Sequence, residues 1–311
     1  MKAVQYRVYG DSEVIEYVDV ERPVAGDGQV LVKVAATSFN PVDAGIRGGY
    51  LTEVFAVDLP HIPGIDVAGT VAELGRGVED WNVGDAVVAL LPMDANGAAA
   101  DYVLAPVESL AAAPRTAPLA DAAALPTVGL TAWQALFEIA GVTAGQTVLI
   151  NGAGGAVGGY ATQLAKNAGA VVTATAKPGD ADRLRSRGAD RVIGYIDYTA
   201  TPLAIDGAPF DVVLNLVGTT PMETEALASV VADGGHYVGT MTAGPERPRG
   251  GLHAQRVFVR SDAAQLAGLV RRVDAGELHI DVALRRPLVE ASAVHEEYDA
   301  GRLPGKTILM P

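Results

Sequence analysis

The chain has 311 residues, of which 49% are apolar and 19% charged, with a formal net charge of −14 and no cysteine. Single hydrophobic cores usually stop growing at roughly 250 to 300 residues, so this length predicts two domains. The negative charge would repel a phosphate backbone, which excludes nucleic acid as a partner. Without cysteine, disulfides, thiolate nucleophiles and cysteine-based zinc sites are excluded as well.

The N-terminal segment "MKAVQYRVYG" leads directly into strand-like sequence and has no apolar targeting core. The longest uncharged stretch, residues 139–165, contains seven glycines. These glycines argue against a bilayer span, although the stretch is long enough for one. We therefore expect a soluble cytoplasmic protein without a membrane partner.

The first third of the chain, from Lys2 to about Pro114, has the pattern of short strands. Its apolar runs are separated by glycine, proline and aspartate, and they read "QVLVKVAAT", "DVAGTVAEL", "GDAVVALL" and "ADYVLAPV". This pattern predicts a β-rich barrel or sandwich. The tail, from about Val282 to the closing "GKTILMP", returns to short strands, and we expect it to pack on this first domain.

After "AAAPRTAPLADAAALP" the rhythm changes to strands that alternate with helices, as in parallel βαβ units. The predicted strands are "TVLIN", "AVVTATA", "RVIGY", "FDVVLNLVG" and "GHYVGTM". One helix is expected directly after the glycines that follow Asn151. Another is expected after Ser261 as its N-cap, with Leu266, Leu269 and Val270 on its apolar face.

The segment "TVLINGAGGAVGGYATQLAKNAGAVVTATAKPG" places glycines between a strand and an alanine-rich helix. Loss of side chains there lets the oxygens of a dinucleotide pyrophosphate reach backbone amides at a helix N-terminus. The register departs from GxGxxG, because Val157 takes the third place, and the evenly spaced glycines are Gly152, Gly155 and Gly158. A tight turn without ligand is the alternative, but the order strand, loop, helix, strand favours a dinucleotide.

The second strand of this unit ends at Thr175 and is followed by Ala176 and Lys177. An NAD site usually has a carboxylate here for the ribose 2′-hydroxyl, whereas lysine suits the 2′-phosphate of NADP. The sequence therefore favours NADP(H) over NAD. A solvated surface lysine is the alternative, and Asp180 and Asp182 weigh against the phosphate.

The chain resembles the zinc-free quinone oxidoreductase, or zeta-crystallin-like, branch of the medium-chain dehydrogenase/reductase superfamily over its whole length. The resemblance rests on an ordered series of segments, namely "SFNPVDAGIRGGY", "PGIDVAGTVAELGRGVEDWNVGDAV", "AAADYVLAP", "TVGLTAWQAL", "NGAGGAVGGYATQLAKNAGA" and "GADRVIGY". It implies an α/β protein with a GroES-like domain, residues 1–120 completed by 256–311, and an inserted Rossmann NADP-binding domain, residues 121–255. It also implies a homodimer.

The resemblance and the glycine loop together give the predicted cofactor contacts. Asn40 is similar to the asparagine that faces the nicotinamide ribose, and Thr131 to the threonine beneath the nicotinamide. The full predicted set is Asn40, Thr131, Gly152, Gly155, Ala156, Val157, Thr175, Lys177, Tyr195, Val217, Gly218, Val238, Gly239 and Lys306.

No metal is expected. Where zinc alcohol dehydrogenases of this superfamily have the cysteine of C-x-x-D, this chain has Asn40, and where they have "GHE" it has Gly64, Ile65 and Asp66. Without a Lewis acid, reduction of an acceptor that is already electron-poor is the less demanding chemistry. The predicted function is thus NADPH-dependent hydride transfer to a quinone or an activated α,β-unsaturated carbonyl.

The predicted catalytic residues are Asn40 and Tyr50. Tyr50 resembles the tyrosine of related enoyl thioester reductases and could protonate the substrate, or it could simply cover apolar surface. Two alternative functions stay open at this point. One is an enoyl thioester reductase, acting on enoyl-CoA or an acyl carrier, and the other is a non-catalytic, crystallin-like protein that binds NADPH.

Overall fold

The structure is a computed structural model that describes residues 1–200 and 202–311. Backbone contacts divide the chain into two compact units, which we call unit 1 and unit 2. Unit 1 consists of Met1–Thr127 and Arg260–Pro311, and unit 2 of Val128–Val259.

The strands and helices follow in chain order. The strands are β1 (Lys2–Gln5), β2 (Glu16–Asp19), β3 (Gln29–Ser38), β4 (Asp66–Leu74), β5 (Ala86–Leu90), β6 (Tyr102–Pro106), β7 (Leu110–Ala112), β8 (Thr147–Asn151), β9 (Val171–Thr175), β10 (Arg191–Ile193), β11 (Phe210–Asn215), β12 (Val231–Gly239), β13 (His253–Arg256), β14 (Leu284–Pro287) and β15 (Thr307–Met310). The α-helices are α1 (Pro41–Arg47), α2 (Pro126–Trp133), α3 (Ala156–Asn167), α4 (Ala181–Ser186), α5 (Pro221–Ala228), α6 (Ala263–Asp274) and α7 (Ala291–Asp299). A π-helical segment, Gln134–Ile139, continues α2, and short 3-10 turns lie at Ser12–Val14, Val107–Ser109, Asp121–Ala124, Pro178–Asp180 and Leu288–Glu290.

Unit 1 is built on a mainly antiparallel sheet with the strand order β14-β15-β3-β4-β5-β7. The first half of β3 also pairs with β6, and its last residues pair with β15. Valines of β3, β4 and β5 form one buried cluster, among them Val32, Val67 and Val87. The valine-rich runs of the sequence thus form a β-rich, GroES-like domain, as predicted.

The chain returns to unit 1 at Arg260. The predicted N-cap of α6 is wrong by one residue, because Asp262 accepts from the Gln265 amide while the Ser261 hydroxyl donates to the Leu90 carbonyl. The predicted apolar face of α6 is confirmed, since its leucines and valines are buried. The closing strand β15 pairs with β3, which confirms that the tail packs on the first domain.

Unit 2 contains a six-stranded sheet with the order β10-β9-β8-β11-β12-β13, and all its pairings are parallel. Counted from β8 as the first strand, this order reads 3-2-1-4-5-6, the order of a Rossmann domain. β8 and β11 are central and buried, with Val148 beside Val212 and Ile150 beside Leu214. The predicted α/β class with a doubly wound parallel sheet is confirmed.

Candidate functional site

The glycine loop of unit 2 connects the end of β8 to the start of α3. Gly152 has a φ of +89°, a conformation that favours glycine, and its amide donates to Thr175 Oγ1 at 2.8 Å. A Cβ at Gly158 would lie 2.4 Å from Ala153 Cα, so only glycine fits where α3 crosses the loop. Among the described residues, no side chain caps the N-terminus of α3, which leaves a positive dipole end beside exposed backbone.

A neutral polar network fixes the carboxyl ends of the central strands beside this loop. Asn151 Nδ2 donates to Asn215 Oδ1 at 2.9 Å, and Thr175 Oγ1 donates to Asn151 Oδ1 at 2.9 Å. Asn215 Nδ2 donates in turn to Tyr237 OH at 2.8 Å and to Thr219 Oγ1 at 3.1 Å. Sequence reasoning missed this network, although the two apolar runs "TVLIN" and "FDVVLN" both end in asparagine.

Two basic side chains lie beside the loop, with a carboxylate between them. Lys177 is exposed, and its Nζ lies 4.0 Å from Asp180 Oδ2. Arg183 Nη2 lies 3.2 Å from Asp180 Oδ1 and donates to the carbonyl of Gly154 at 2.9 Å. Sequence reasoning named Lys177 but missed Arg183, which lies on α4 six residues further on.

Four of the predicted cofactor contacts lie just after β11 or at the end of β12. Val217 borders the loop, because a Cβ built at Gly152 would lie 2.8 Å from Val217 Cγ1, and Gly218 follows it with open space around its Cα. Gly239 has no room for a side chain, since a Cβ there would lie 2.2 Å from the Thr242 carbonyl oxygen. Val238 is fully buried in the sheet, so only its backbone could serve a ligand.

The remaining predicted contacts of unit 2 differ in exposure. Ala156 and Val157 are the first two residues of α3, and Gly155 is its N-cap. Thr131 lies buried on α2, whereas the Tyr195 side chain is exposed. The structure therefore brings the loop residues, Thr175 and Val217 together and leaves Tyr195 at the surface.

In unit 1, Asn40 is the N-cap of α1 and is buried. Its amide N–H donates to Asp43 Oδ2 at 2.8 Å, which explains why "NPVD" begins a helix. The side-chain Nδ2 donates to Asp66 Oδ2 at 2.8 Å and to the Ser38 carbonyl at 3.3 Å. The side-chain Oδ1 accepts from Lys306 Nζ at 2.6 Å.

Asp66 is the centre of this buried cluster. Its Oδ2 accepts from Ser38 Oγ at 2.5 Å and from Lys306 Nζ at 3.2 Å, in addition to Asn40. Its Oδ1 accepts from both the amide and the hydroxyl of Thr127, each at 2.7 Å. Five donors thus satisfy a carboxylate that has no exposed surface, as the burial of a charge requires. Sequence reasoning named Asn40 and Lys306 here but not Asp66 as their common partner.

Burial shifts the pKa values of the charged groups near Asn40. It lowers the pKa of Lys306, although the neighbouring Asp66 opposes that shift. Burial raises the pKa of Asp43 to about 7, against the hydrogen bond from the Asn40 amide. The region holds one ammonium and two carboxyl groups in a low-dielectric environment.

Tyr50 lies in the turn after α1, where its amide donates to the Gly45 carbonyl. The side chain is 82% exposed, so its hydroxyl is free to reach a ligand. Asn40 and Lys306 are in direct contact, whereas within the described part of the chain no side-chain hydrogen bond joins Tyr50 to either of them. Its role stays a prediction.

Comparison with known proteins decides the family. Residues 26–115 match the Alcohol dehydrogenase GroES-like domain and residues 187–309 the Zinc-binding dehydrogenase family. The chain is 32% identical to the chloroplast envelope quinone oxidoreductase homolog of Arabidopsis thaliana, an alignment that covers 100% of this chain and 98% of that protein. It belongs to the quinone oxidoreductase branch of the medium-chain dehydrogenase/reductase superfamily.

Two further members of the superfamily are similar over the full chain. The structure of the quinone oxidoreductase from Coxiella burnetii matches with a TM-score of 0.87 and 30% identity, over 100% of this chain and 99% of that one. The chloroplastic NADPH-dependent alkenal/one oxidoreductase of Arabidopsis thaliana is 31% identical, over 100% of this chain and 80% of that protein. The chain described here is therefore an oxidoreductase of a family that binds nicotinamide dinucleotides.

The predicted cytoplasmic location is contradicted by these relatives. Both Arabidopsis proteins are chloroplast proteins by name. The prediction failed because a pattern that argues against a secretory signal does not decide between the cytoplasm and the chloroplast. In the described part of the chain, no helix has the length and apolarity to cross a bilayer.

Proposed function

We propose that the protein is an NADPH-dependent reductase that transfers a hydride to a quinone or to an activated α,β-unsaturated carbonyl without zinc. The observation that carries this proposal is the glycine loop after β8, where the contact of Gly158 with Ala153 leaves no room for a side chain. Such a loop lets backbone amides approach a pyrophosphate at the start of a helix. The Arabidopsis NADPH-dependent alkenal/one oxidoreductase supports both the cofactor and the acceptor class.

The preference for NADPH rests on Lys177 and Arg183. Both side chains lie near Asp180, which holds a negative charge between them. A 2′-phosphate is a stronger acceptor than a carboxylate and could draw both basic groups toward itself. Asp180 weakens the preference without reversing it, because two cations face one carboxylate.

The chain contributes binding and orientation to this reaction. Bound NADPH would supply the hydride. The loop amides and the N-terminus of α3 would hold the pyrophosphate, and Asn40 Oδ1 would accept a hydrogen bond from a ribose hydroxyl. A conjugated acceptor spreads the charge that develops on it, so it needs a proton rather than a Lewis acid.

Tyr50 is the proposed proton donor for enone substrates, because its exposed phenol is free to contact a ligand. A quinone needs this group less, since its product charge rests on oxygen and can be protonated from water. Tyr50→Phe should therefore slow enone reduction and leave quinone reduction nearly unchanged. Equal rates of the variant and the wild type on both acceptors would contradict the role.

Steady-state kinetics of the purified protein test the main proposal. NADPH oxidation is followed with 9,10-phenanthrenequinone, with methyl vinyl ketone and with crotonyl-CoA, and each assay is repeated with NADH. Loss of a charge-assisted contact should make Lys177→Ala raise the KM for NADPH about tenfold, with the KM for NADH unchanged. Lys166→Ala is the matched control, because Lys166 pairs with Asp190 on the surface of the same unit.

Three outcomes would change the proposal. Similar affinity for NADH and NADPH, unaltered by Lys177→Ala, would remove the cofactor preference. Turnover confined to crotonyl-CoA would point to the enoyl thioester reductase. Tight NADPH binding without turnover on any acceptor would identify a non-catalytic nucleotide-binding protein.

Two structural assignments belong to the same proposal. We assign cofactor binding to the Rossmann domain of residues 121–255 and the substrate-binding role to the GroES-like domain of residues 1–120 and 256–311. We also propose a homodimer, for which β13, an edge strand of the unit 2 sheet, offers unpaired backbone groups. Light scattering on the purified protein would show twice the chain mass.

A further inference from the structure

The name of the matching family, Zinc-binding dehydrogenase, raises the question of whether the cluster around Asn40 fits a zinc ion. The donor set does not fit. Asn40 and Ile65 offer neither a thiolate nor an imidazole, and the Lys306 ammonium lies 2.6 Å from Asn40 Oδ1 and 3.2 Å from Asp66 Oδ2. Zinc favours sulfur and nitrogen ligands, and a second cation beside a buried ammonium would be repelled.

We propose that the Lys306 ammonium is the built-in cation of this cluster and the residue that positions the Asn40 side chain. The three N–H groups of Lys306 are matched by three acceptors, namely the Phe39 carbonyl at 3.3 Å, Asn40 Oδ1 and Asp66 Oδ2. The side chain is buried. Lys306 therefore has no N–H left for a cofactor, and its effect on a ligand must pass through Asn40.

The charges of the cluster allow one orientation of the Asn40 amide. With Oδ1 toward Lys306, both hydrogens of Nδ2 are donated, to Asp66 Oδ2 and to the Ser38 carbonyl. A flipped amide would turn Nδ2 toward the ammonium and Oδ1 toward the carboxylate, so that two favourable contacts would become two repulsive ones. Lys306 and Asp66 thus hold the amide from opposite sides.

This orientation limits what Asn40 can do. Both N–H groups are used and Oδ1 accepts from Lys306, so the only way in which the Asn40 side chain can serve a ligand is as an acceptor through Oδ1. Asn40 can accept one hydrogen bond from a hydroxyl, such as that of a cofactor ribose, but it cannot donate a proton to substrate. The assignment to a ribose rests on the proposed function, whereas the orientation itself depends only on contacts within unit 1.

Chemical rescue tests the proposal. Lys306→Ala should leave a space beside Asp66 that propylammonium can enter. The side-chain amide signal of isotope-labelled Asn40, assigned through Asn40→Asp, should shift in Lys306→Ala and return toward its wild-type position with propylammonium. Propanol, which has a similar size but no charge, should fail to restore it. This readout needs no cofactor and no turnover.

Cofactor affinity provides the second readout. Calorimetry should show NADPH binding about tenfold weaker in Lys306→Ala, equivalent to one lost oriented hydrogen bond, with recovery in propylammonium. Arg47→Met is the matched control, because Arg47 is another buried cation of unit 1 that bonds His295 and Asp299 and does not touch Asn40. Propylammonium should change neither its amide spectrum nor its affinity for NADPH.

If Lys306→Ala fails to fold, the double variant Lys306→Met/Asp66→Asn replaces it in the experiment. That variant removes both charges together, so the protein should fold while the Asn40 amide loses its wild-type signal. An unchanged Asn40 signal in either variant, or equal rescue by propanol, would overturn the proposal. Binding of one zinc ion per chain by the wild-type protein, and its absence in Asp66→Asn, would also overturn the proposal. Absence of NADPH binding in the wild type would overturn the proposed function alone, because the amide signal still decides the role of Lys306.

Discussion

Unit 1 buries a charged cluster around Asp66 and Lys306, whereas unit 2 buries a neutral network around Asn151 and Asn215. In unit 1 a single carboxylate accepts from five donors, one of which is an ammonium. In unit 2 amides and hydroxyls form a chain that continues through Thr219 and Tyr237 to the hydroxyls of Thr224 and Thr242. Both units therefore have an ordered set of polar groups beside a candidate ligand site. They differ in how much stability the protein loses when one of these groups loses its partner. A charged group that loses its partner is costly, and a neutral one much less so.

From this comparison we expect Asp66→Asn to cause the largest loss in the free energy of unfolding. This change leaves the Lys306 ammonium buried without its counter-charge, and breaking a buried ion pair costs about 3–5 kcal/mol. Urea unfolding should show that loss in the free energy of unfolding. Asp19→Asn is the control, because Asp19 forms an exposed ion pair with Lys2 and should lose far less. A loss for Asp66→Asn no larger than for Asp19→Asn would contradict the role of Asp66 as the centre of the cluster.

A smaller loss in the free energy of unfolding is expected for Asn215→Leu in unit 2. The change keeps the side-chain size but removes the acceptor of one Asn151 Nδ2 hydrogen and the donor to Tyr237 OH and Thr219 Oγ1. An unsatisfied buried neutral group costs about 1–3 kcal/mol. The same substitution at the exposed Asn82 is the control for the apolar change itself. If Asn215→Leu were as destabilising as Asp66→Asn, the contrast between charged and neutral clusters would be lost.

The third prediction concerns the pH dependence of stability. The free energy of unfolding is expected to change by about 1.4 kcal/mol per pH unit. Burial lowers the pKa of His61 to about 4 and that of His295 to about 3, the latter also through Arg47. Between about pH 4 and 6.5 the unfolded chain therefore binds two protons at these sites that the folded chain does not. Asp43, whose pKa is raised to about 7, holds one proton in the folded state and opposes them.

The sign follows from this balance. At these three sites the unfolded state binds a net excess of one proton, and His236, whose pKa burial also lowers, acts in the same direction, so the free energy of unfolding should rise with pH from about 4 to 6.5. Urea titrations at several pH values would measure the slope. Asp43→Asn removes the opposing group and should make the rise steeper, while Asn215→Leu should leave the slope unchanged because amides and hydroxyls do not titrate in this range. A flat profile in the wild type would refute the assignment of neutral buried histidines.

The sequence predicted the strands well where one face of a sheet is buried. The run "DVAGTVAEL" is β4 over its full length, Asp66–Leu74, and "TVLIN" is β8. The glycine loop was also recognisable, because the need for small residues is a local property of the backbone. The N-cap of α6 was misplaced by one residue, since Ser261 and Asp262 are both good caps and only the contact with Leu90 draws Ser261 away.

The partners of the site residues could not be predicted in the same way. Lys306 was named through the resemblance, but its pairing with Asp66 joins residues 240 positions apart, and Asn151 lies 64 positions from Asn215. The alternation of apolar and polar residues and the positions of glycine are local, so the sequence by itself determined the two-domain α/β architecture and the glycine loop. The charged cluster and the asparagine network were decided only by the tertiary structure. A buried polar group is stabilised by whichever partner the fold brings within hydrogen-bonding distance, and no short stretch of sequence specifies that partner.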